Sequence, residues 1–240
     1  MQKPWFEGKN VLDIGCNDGS LTILLSVNHN PKQITGVDID YKLINRAVEN
    51  TVYIETVLLH LMKNSDKIQA LEELETFPIS LQQYLNLPNH VSALKNFLPL
   101  KKILNLNSRF PGNIDFYCAN FLDGTCKKYD TILCLSTSKW VHLNWGDSGL
   151  INMFNNIYNA LEYKGIFIFE PQNWKSYKKS RTRTDQILQN YKSIKIKPDD
   201  FHLVLNNLGF EIIETICPKA GRETFKRLIY VYEKKEIIKS

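Results

Sequence analysis

Residues 137–147 read TSKWVHLNWGD and bring a lysine, a histidine and two tryptophans together just after the apolar run YDTILCLS. Lys139 and His142 can neutralise and orient an anion whose oxygen is already nucleophilic, such as a phosphate. Trp140 and Trp145 offer flat faces on which a terminal nucleic-acid base can stack. The same four side chains also fit a plain packing role at a strand end. What the surrounding elements build decides between the two.

Those elements alternate. NVLDIGC (10–16), QITGVDI (33–39), IDFYCA (114–119), YDTILCL (129–135) and GIFIFEP (165–171) are short apolar runs bounded by turn residues, the pattern of buried parallel strands. Helices are expected at SLTILLSV, YKLINRAVEN and SGLINMFNNIYNALEY, the last with apolar residues at 150, 151, 154, 157, 158 and 161. KPDDFHLVLNNLGFEIIETIC reads as a helix capped near Asp199 or Asp200, ended by Gly209 and followed by a strand. RLIYVYEK then pairs back against its neighbours. The expectation is an α/β, Rossmann-like, mostly parallel seven-stranded sheet with an antiparallel carboxyl-terminal strand and helices on both faces. Residues 51–110 break the alternation and are taken as an insertion in a single domain spanning 1–240, with helices at about 51–62 and 66–76.

Composition bounds the rest. With 240 residues, 43% of them hydrophobic, one medium domain can bury its own core. No run approaches a membrane span, and the amino terminus has charges and a proline where a signal peptide would be apolar, so a soluble intracellular protein is expected. Five cysteines without a C-x-x-C pair suggest reduced structural thiols, with no metal site. The net charge of +5 is uneven: residues 170–240 hold 15 Lys/Arg against 9 Asp/Glu. Eight of those cations lie in 175–197, among them Lys175, Lys178 and Lys179, a stretch that attracts phosphate or is simply a solvated basic face.

At the other end of the sheet, VLDIGCNDGSLT is a strand, a glycine turn and a helix start, which aims backbone N–H groups at a ligand. Gly15 and Gly19 give G-x-x-x-G in place of the dinucleotide G-x-G-x-x-G, which favours another nucleoside-type cofactor over a pyrophosphate. Cys16 and Asn17 belong to the same turn, and Asp13, inside the strand, can act on a charged ligand end directly or through water. About twenty residues on, Asp38, with Asp40 as second choice, stands where a carboxylate accepts from both ribose hydroxyls, and Ile39 lies between them.

Turn, spacing and terminal hairpin together resemble the class I S-adenosylmethionine-dependent methyltransferases. That resemblance implies S-adenosyl-L-methionine as cofactor, Asn120 and Phe121 beside the adenine, and Leu135 beside the methyl group. Methyl transfer needs an incoming lone pair in line with the S–CH3 bond, and alignment alone is worth roughly 7–11 kcal/mol in favourable cases. The fourth strand ends in LCLSTSKW, without the Asn/Asp-Pro-Pro-aromatic tetrapeptide of base amino methylases, so an exocyclic nitrogen is a poor candidate nucleophile.

LCLSTSKWVHLNWGDSGL, GIFIFEPQNWKSYKK and YKSIKIKPDDF, in that order and spacing, resemble the Bicoid-interacting protein 3 family of RNA 5′-methylphosphate capping enzymes. The resemblance implies methylation of the 5′-terminal γ-phosphate of a small noncoding RNA, with no membrane partner, a nuclear or alternatively cytoplasmic location, and room for a second protein on the RNA complex. It implies that Lys139 and His142 hold phosphates as the catalytic pair and that Trp140 and Trp145 shape the cap pocket. Glu170, Pro171, Gln172 and Trp174 would form the opposite wall, and the basic stretch an RNA track. Family members carry a tyrosine- and arginine-rich segment before the first strand, where this sequence has MQKPWFEGKN. Either that segment is missing here or Arg222, Lys226, Arg227 or the insertion takes its place. A 5′-monophosphate methyltransferase, a weakly catalytic RNA assembly factor, and a small-molecule or protein methyltransferase stand as alternatives; glycine spacing argues against an oxidoreductase.

Overall fold

The computed structural model describes residues 3–63, 109–217 and 227–235. Seven strands form one sheet: β1 (Asn10–Ile14), β2 (Gln33–Asp38), β3 (Ile114–Cys118), β4 (Tyr129–Leu135), β5 (Leu161–Glu170), β6 (Phe210–Ile216) and β7 (Ile229–Lys234). Their spatial order is β3-β2-β1-β4-β5-β7-β6. β7 runs antiparallel to both β5 and β6, and every other pairing is parallel. The chain reverses direction across the sheet between β1 and β4, and ligands in such sheets bind at the strands' carboxyl ends near that point.

Helices cover both faces because alternate residues of the central strands are apolar on both. Val11, Ile34, Leu133, Ile168 and Val231 pack with Ile23 and Leu25 of α1 (Ser20–His29) and with Tyr53 and Ile54 of α2 (Tyr41–Lys63). On the opposite face Leu12, Ile132, Phe167, Phe169 and Tyr232 meet Leu150, Met153, Phe154 and Ile157 of α3 (Ser138–Ala160) and Phe201 and Leu205 of α6 (Phe201–Asn207). Phe154 stands edge-on to Phe169 at 5.6 Å and to Phe201 at 5.8 Å, the arrangement that ring quadrupoles prefer. Between β5 and α6 lie α4 (Trp174–Ser180) and α5 (Asp185–Ser193), capped by the side chains of Asn173 and Thr184. Among the described residues no helix is long and apolar enough to cross a membrane, and all five cysteines are free thiols.

Four boundaries differ from expectation. The helix expected from 148 begins at Ser138, because buried Lys139, His142 and Leu143 keep a helical spacing that tryptophan and valine disguise as strand. It is interrupted at Gly146 (φ 65, ψ −165), a conformation open to glycine alone among common residues. The helices expected at 41–50 and 51–62 are one, so the departure from the alternating pattern starts later than residue 51. β5 begins at Leu161, four residues early, across an irregularity in its pairing with β4. The basic stretch folds into two short helices, α4 and α5. The helix expected at 66–76 lies outside the described residues, as do Arg222 and Lys226.

Candidate functional site

The carboxyl end of β1 turns through Gly15 (φ 73), Asn17 (φ 54) and Gly19 (φ 73). A Cβ on Gly15 would lie 2.2 Å from Thr137 Oγ1, so the turn can rest against the end of β4 only without a side chain there. Gly15 N and Cys16 N donate to Val37 O at 2.8 and 3.1 Å, fixing the turn to β2. Asp38 then accepts from Asn17 N through Oδ2 and from Asp40 N through Oδ1, each at 3.0 Å. Each oxygen keeps further acceptor capacity, which suits two neighbouring hydroxyls. Ile39, next along, is 59% exposed and offers an apolar surface beside them. Asp40 is exposed and accepts Lys42 N at 2.8 Å, starting α2.

Asp13 sits beneath the turn at the end of β1. It is buried, and its Oδ2 accepts from Thr22 Oγ1 at 2.7 Å, which ties β1 to α1. Burial, opposed by the Thr22 hydrogen bond and reinforced by the charge of Asp38, pushes its carboxyl up to about 6. Cys16 is buried under the turn, where burial raises its thiol well above the usual range. Asn120 spends its side chain on Leu122 N at 3.2 Å, capping a turn over 121–123. Phe121 and Leu135 are half-buried, packed against the α3 and the α1–α2 faces of the sheet respectively.

Beyond β4 the polar residues form one connected set. Ser136, at φ 57, donates to Glu170 Oε1 at 2.5 Å, and Arg227 Nη1 donates to both Ser136 Oγ (2.6 Å) and Glu170 Oε1 (2.9 Å). A non-glycine residue held at positive φ stores strain, which is characteristic of functional sites. Gln172, buried, donates to Ser136 O and accepts from Lys139 N at 3.3 Å. Lys139 is 7% exposed, and its Nζ donates to Ser176 and Ser180 Oγ at 3.2 Å each. It also lies 4.2 Å from the Trp140 ring centroid, over which Arg183 Cζ sits at 4.6 Å. Burial first, then repulsion from Arg183 and Arg227, lowers the Lys139 ammonium from its ordinary value. Among the described residues no carboxylate pairs with Lys139 or Arg183. An anion beside Lys139 would favour its charged form.

His142 departs from expectation. It is fully buried, with Nε2 2.8 Å from Asp147 Oδ1 and Nδ1 3.3 Å from Tyr177 OH. Burial lowers it below its ordinary value, outweighing Asp147, and the ring is covered on all sides. Its partner Asp147 also accepts Lys195 N at 2.9 Å and Ile196 N at 3.3 Å. Burial alone would raise that carboxyl, but hydrogen bonds from His142, Lys195 and Ile196 hold it below the usual range. Asn190 Nδ2 donates to Leu143 O and Asn144 O, carbonyls left without helical partners by the break at Gly146. The basic arm is thus fastened to α3.

Trp174 is half-buried. It stacks on Tyr191 at 4.8 Å with Lys197 Nζ 3.7 Å from its ring centroid, capping a small apolar cluster of Leu143, Tyr177, Ile187 and Ile194. Trp145 is 40% exposed at the kink; five positions on from Trp140, it points about 140° away around the helix, so the two do not share one face. Lys175, Lys178 and Lys179 are exposed on α4. Reading the sequence missed Ser136, Ser176, Ser180 and Arg183. Ser176 and Ser180 share a helix face at i, i+4, a spacing visible once Asn173 is read as a cap.

The family model described as Bicoid-interacting protein 3 matches residues 129–234. A probable RNA methyltransferase of Arabidopsis thaliana is 36% identical over 98% of this chain and 73% of its own. The 7SK snRNA methylphosphate capping enzyme of Homo sapiens is 33% identical over 98% of this chain, which spans only 36% of that relative's length. Among solved structures, the N-methyltransferase NodS of Bradyrhizobium japonicum in complex with S-adenosyl-L-homocysteine superposes with a TM-score of 0.53 at 12% identity, over 96% of this chain and 80% of that one. At that identity it shows the fold, that of the class I methyltransferases.

Proposed function

Because the chain belongs to the Bicoid-interacting protein 3 family, we propose that it is an S-adenosylmethionine-dependent methyltransferase acting on the terminal γ-phosphate of a 5′-triphosphate RNA. The observation that carries this reading is the convergence of Lys139 and Arg183 on the Trp140 ring with Arg227, paired to Glu170, on the strained Ser136. Such a cluster is built for a polyanion.

The residues of the β1 turn suit the cofactor's nucleoside. Asp38 would accept its ribose hydroxyls, Ile39 would cover its adenine, and Gly15 would let it approach the backbone; bound there, it supplies an electrophilic methyl on a sulfonium. A phosphate oxygen carries its own negative charge, so no side chain has to remove a proton. Lys139 holds the phosphate in place, and Arg227, itself oriented by Glu170, steadies the charge from the side. His142 contributes at one remove, by setting Asp147 and the arm that carries Ser176, Ser180 and Arg183. Exposed Lys175, Lys178 and Lys179 extend the positive field along the RNA body. We take the partner to be a small noncoding RNA, and hence the nucleus to be the place of action.

The test is labelling. Purified chain with methyl-labelled S-adenosylmethionine should label a 5′-triphosphate RNA in a form that resists phosphatase and is released, still bound to phosphate, when a pyrophosphatase cuts the triphosphate bridge. Label on an internal base would refute the reading. Label confined to monophosphate ends would correct the substrate, and tight RNA binding without label would mark an assembly factor.

A further inference from the structure

Resting on the 5′-phosphate reading above, we infer that Arg183 is a substrate-contacting specificity residue, binding the phosphates by which a 5′-triphosphate end differs from a 5′-monophosphate end. Arg183 lies in the turn between α4 and α5 and is exposed, with its guanidinium 4.6 Å from the Trp140 ring centroid. Lys139 Nζ lies 4.2 Å from the same centroid, so one indole carries both an inner and an outer cation. A cation held on a tryptophan face is oriented without losing its N–H donors.

The contrast with Arg181, two residues earlier, is informative. Arg181 Nη1 donates to Lys178 O at 2.6 Å, and its guanidinium lies toward the Tyr191 ring at 5.9 Å, so it is engaged within the arm. Among the described residues nothing accepts a hydrogen bond from the Arg183 guanidinium, and no carboxylate pairs with it. Its five donors form a rigid fork suited to phosphate oxygens.

Position explains selectivity. Leading away from the β1 turn, the connected residues run from Thr137 and Ser136 with Arg227, through the Gln172 side chain bonded to the Ser136 and Lys139 backbone, to Lys139, then to Trp140 and Arg183. A single phosphate at the inner end of that line meets Arg227 and Lys139. Only a chain of phosphates reaches the outer cation as well. Arg183 therefore adds affinity in proportion to phosphate number and leaves the transfer step alone.

The full chain, saturated with S-adenosylhomocysteine, would be titrated by fluorescence anisotropy with RNAs of one sequence bearing triphosphate, monophosphate or hydroxyl 5′ ends. Arg183→Gln should weaken the triphosphate RNA about tenfold, the loss of one charge-assisted hydrogen bond, and change the other two less than about twofold. In methyl transfer to triphosphate RNA, KM should rise by the same factor with kcat held. Lys192→Gln removes an equal charge from exposed α5 and should shift all three ends alike. Equal weakening of all three ends by Arg183→Gln, or none, would overturn the inference. A wild-type chain that binds triphosphate and hydroxyl ends equally would remove the 5′-phosphate reading itself, and Arg183 with it; that result is read without any variant.

Discussion

Replacing Lys139 by methionine keeps the length of the side chain and deletes its charge, which separates a binding role from a packing one. The structure sets both magnitudes. Two hydrogen bonds, to Ser176 and Ser180 at 3.2 Å, are lost, at about 0.5–1.5 kcal/mol each. Against that, the variant removes a buried cation repelled by Arg183 and Arg227, so the net change in stability should stay within about 1.5 kcal/mol, or about 5 °C in Tm for a domain of this size. A missing charged hydrogen bond to the substrate costs about 1.5–3 kcal/mol, so 5′-triphosphate RNA should bind roughly 10- to 150-fold more weakly. Thermal melting and anisotropy titration on the same preparations measure both. The sign with pH is also set. Lys139 binds its proton less tightly in the folded chain than the ordinary 10.5, so stability rises with pH in the window below 10.5, and the methionine variant loses that rise. A drop in Tm beyond about 10 °C with unchanged RNA affinity would make Lys139 a strut of the core and refute the reasoning.

Asp38→Ala removes the acceptor for two hydroxyls and should weaken S-adenosylhomocysteine about 30-fold or more by calorimetric titration, with RNA affinity changed less than about twofold; parallel losses of both would show that the two ends of the site are not separate. Burial lowers His142 from 6.5, so the folded chain resists its protonation and stability falls as pH drops through 6.5. His142→Gln should flatten the Tm profile over that interval, and a wild-type profile already flat there would contradict the burial. Asp13 runs the other way: with its folded carboxyl near 6 against 3.8 unfolded, the stability it contributes is present below 3.8 and lost as pH rises through about 6. Asp13→Asn should therefore gain on the order of 3 kcal/mol at pH 7 and little at pH 4, as followed by denaturant unfolding.

The sheet was legible because parallel strands buried on both faces leave unbroken apolar runs, such as TILCL in β4 and GIFIFE in β5, and because Gly15, Gly19 and Asp38 hold positions that a strand–turn–helix unit imposes. The first half of α3 was hidden. Its tryptophans and valine favour strands, and the glycine that interrupts it looks like a boundary when it is a kink. Lys139 could be picked out by type and place. The histidine three residues on has similar chemistry, yet it is fully buried and its charged form is disfavoured, and burial is a property of the folded whole that no local pattern carries. Arg183 was one cation among eight in its stretch. Only its seat on Trp140, which depends on the turn between α4 and α5, distinguishes it from Arg181.

The break at Gly146 has a consequence for how such proteins can be remade. Asn190 and Asp147 clip residues 174–197 onto α3 on either side of its break, while the second half of that helix packs on the sheet. A chimera that brings a different surface charge pattern but preserves those two clips, the buried Tyr177, Ile187 and Ile194, and Ser176 and Ser180 should therefore retain the scaffold and the turn after β1.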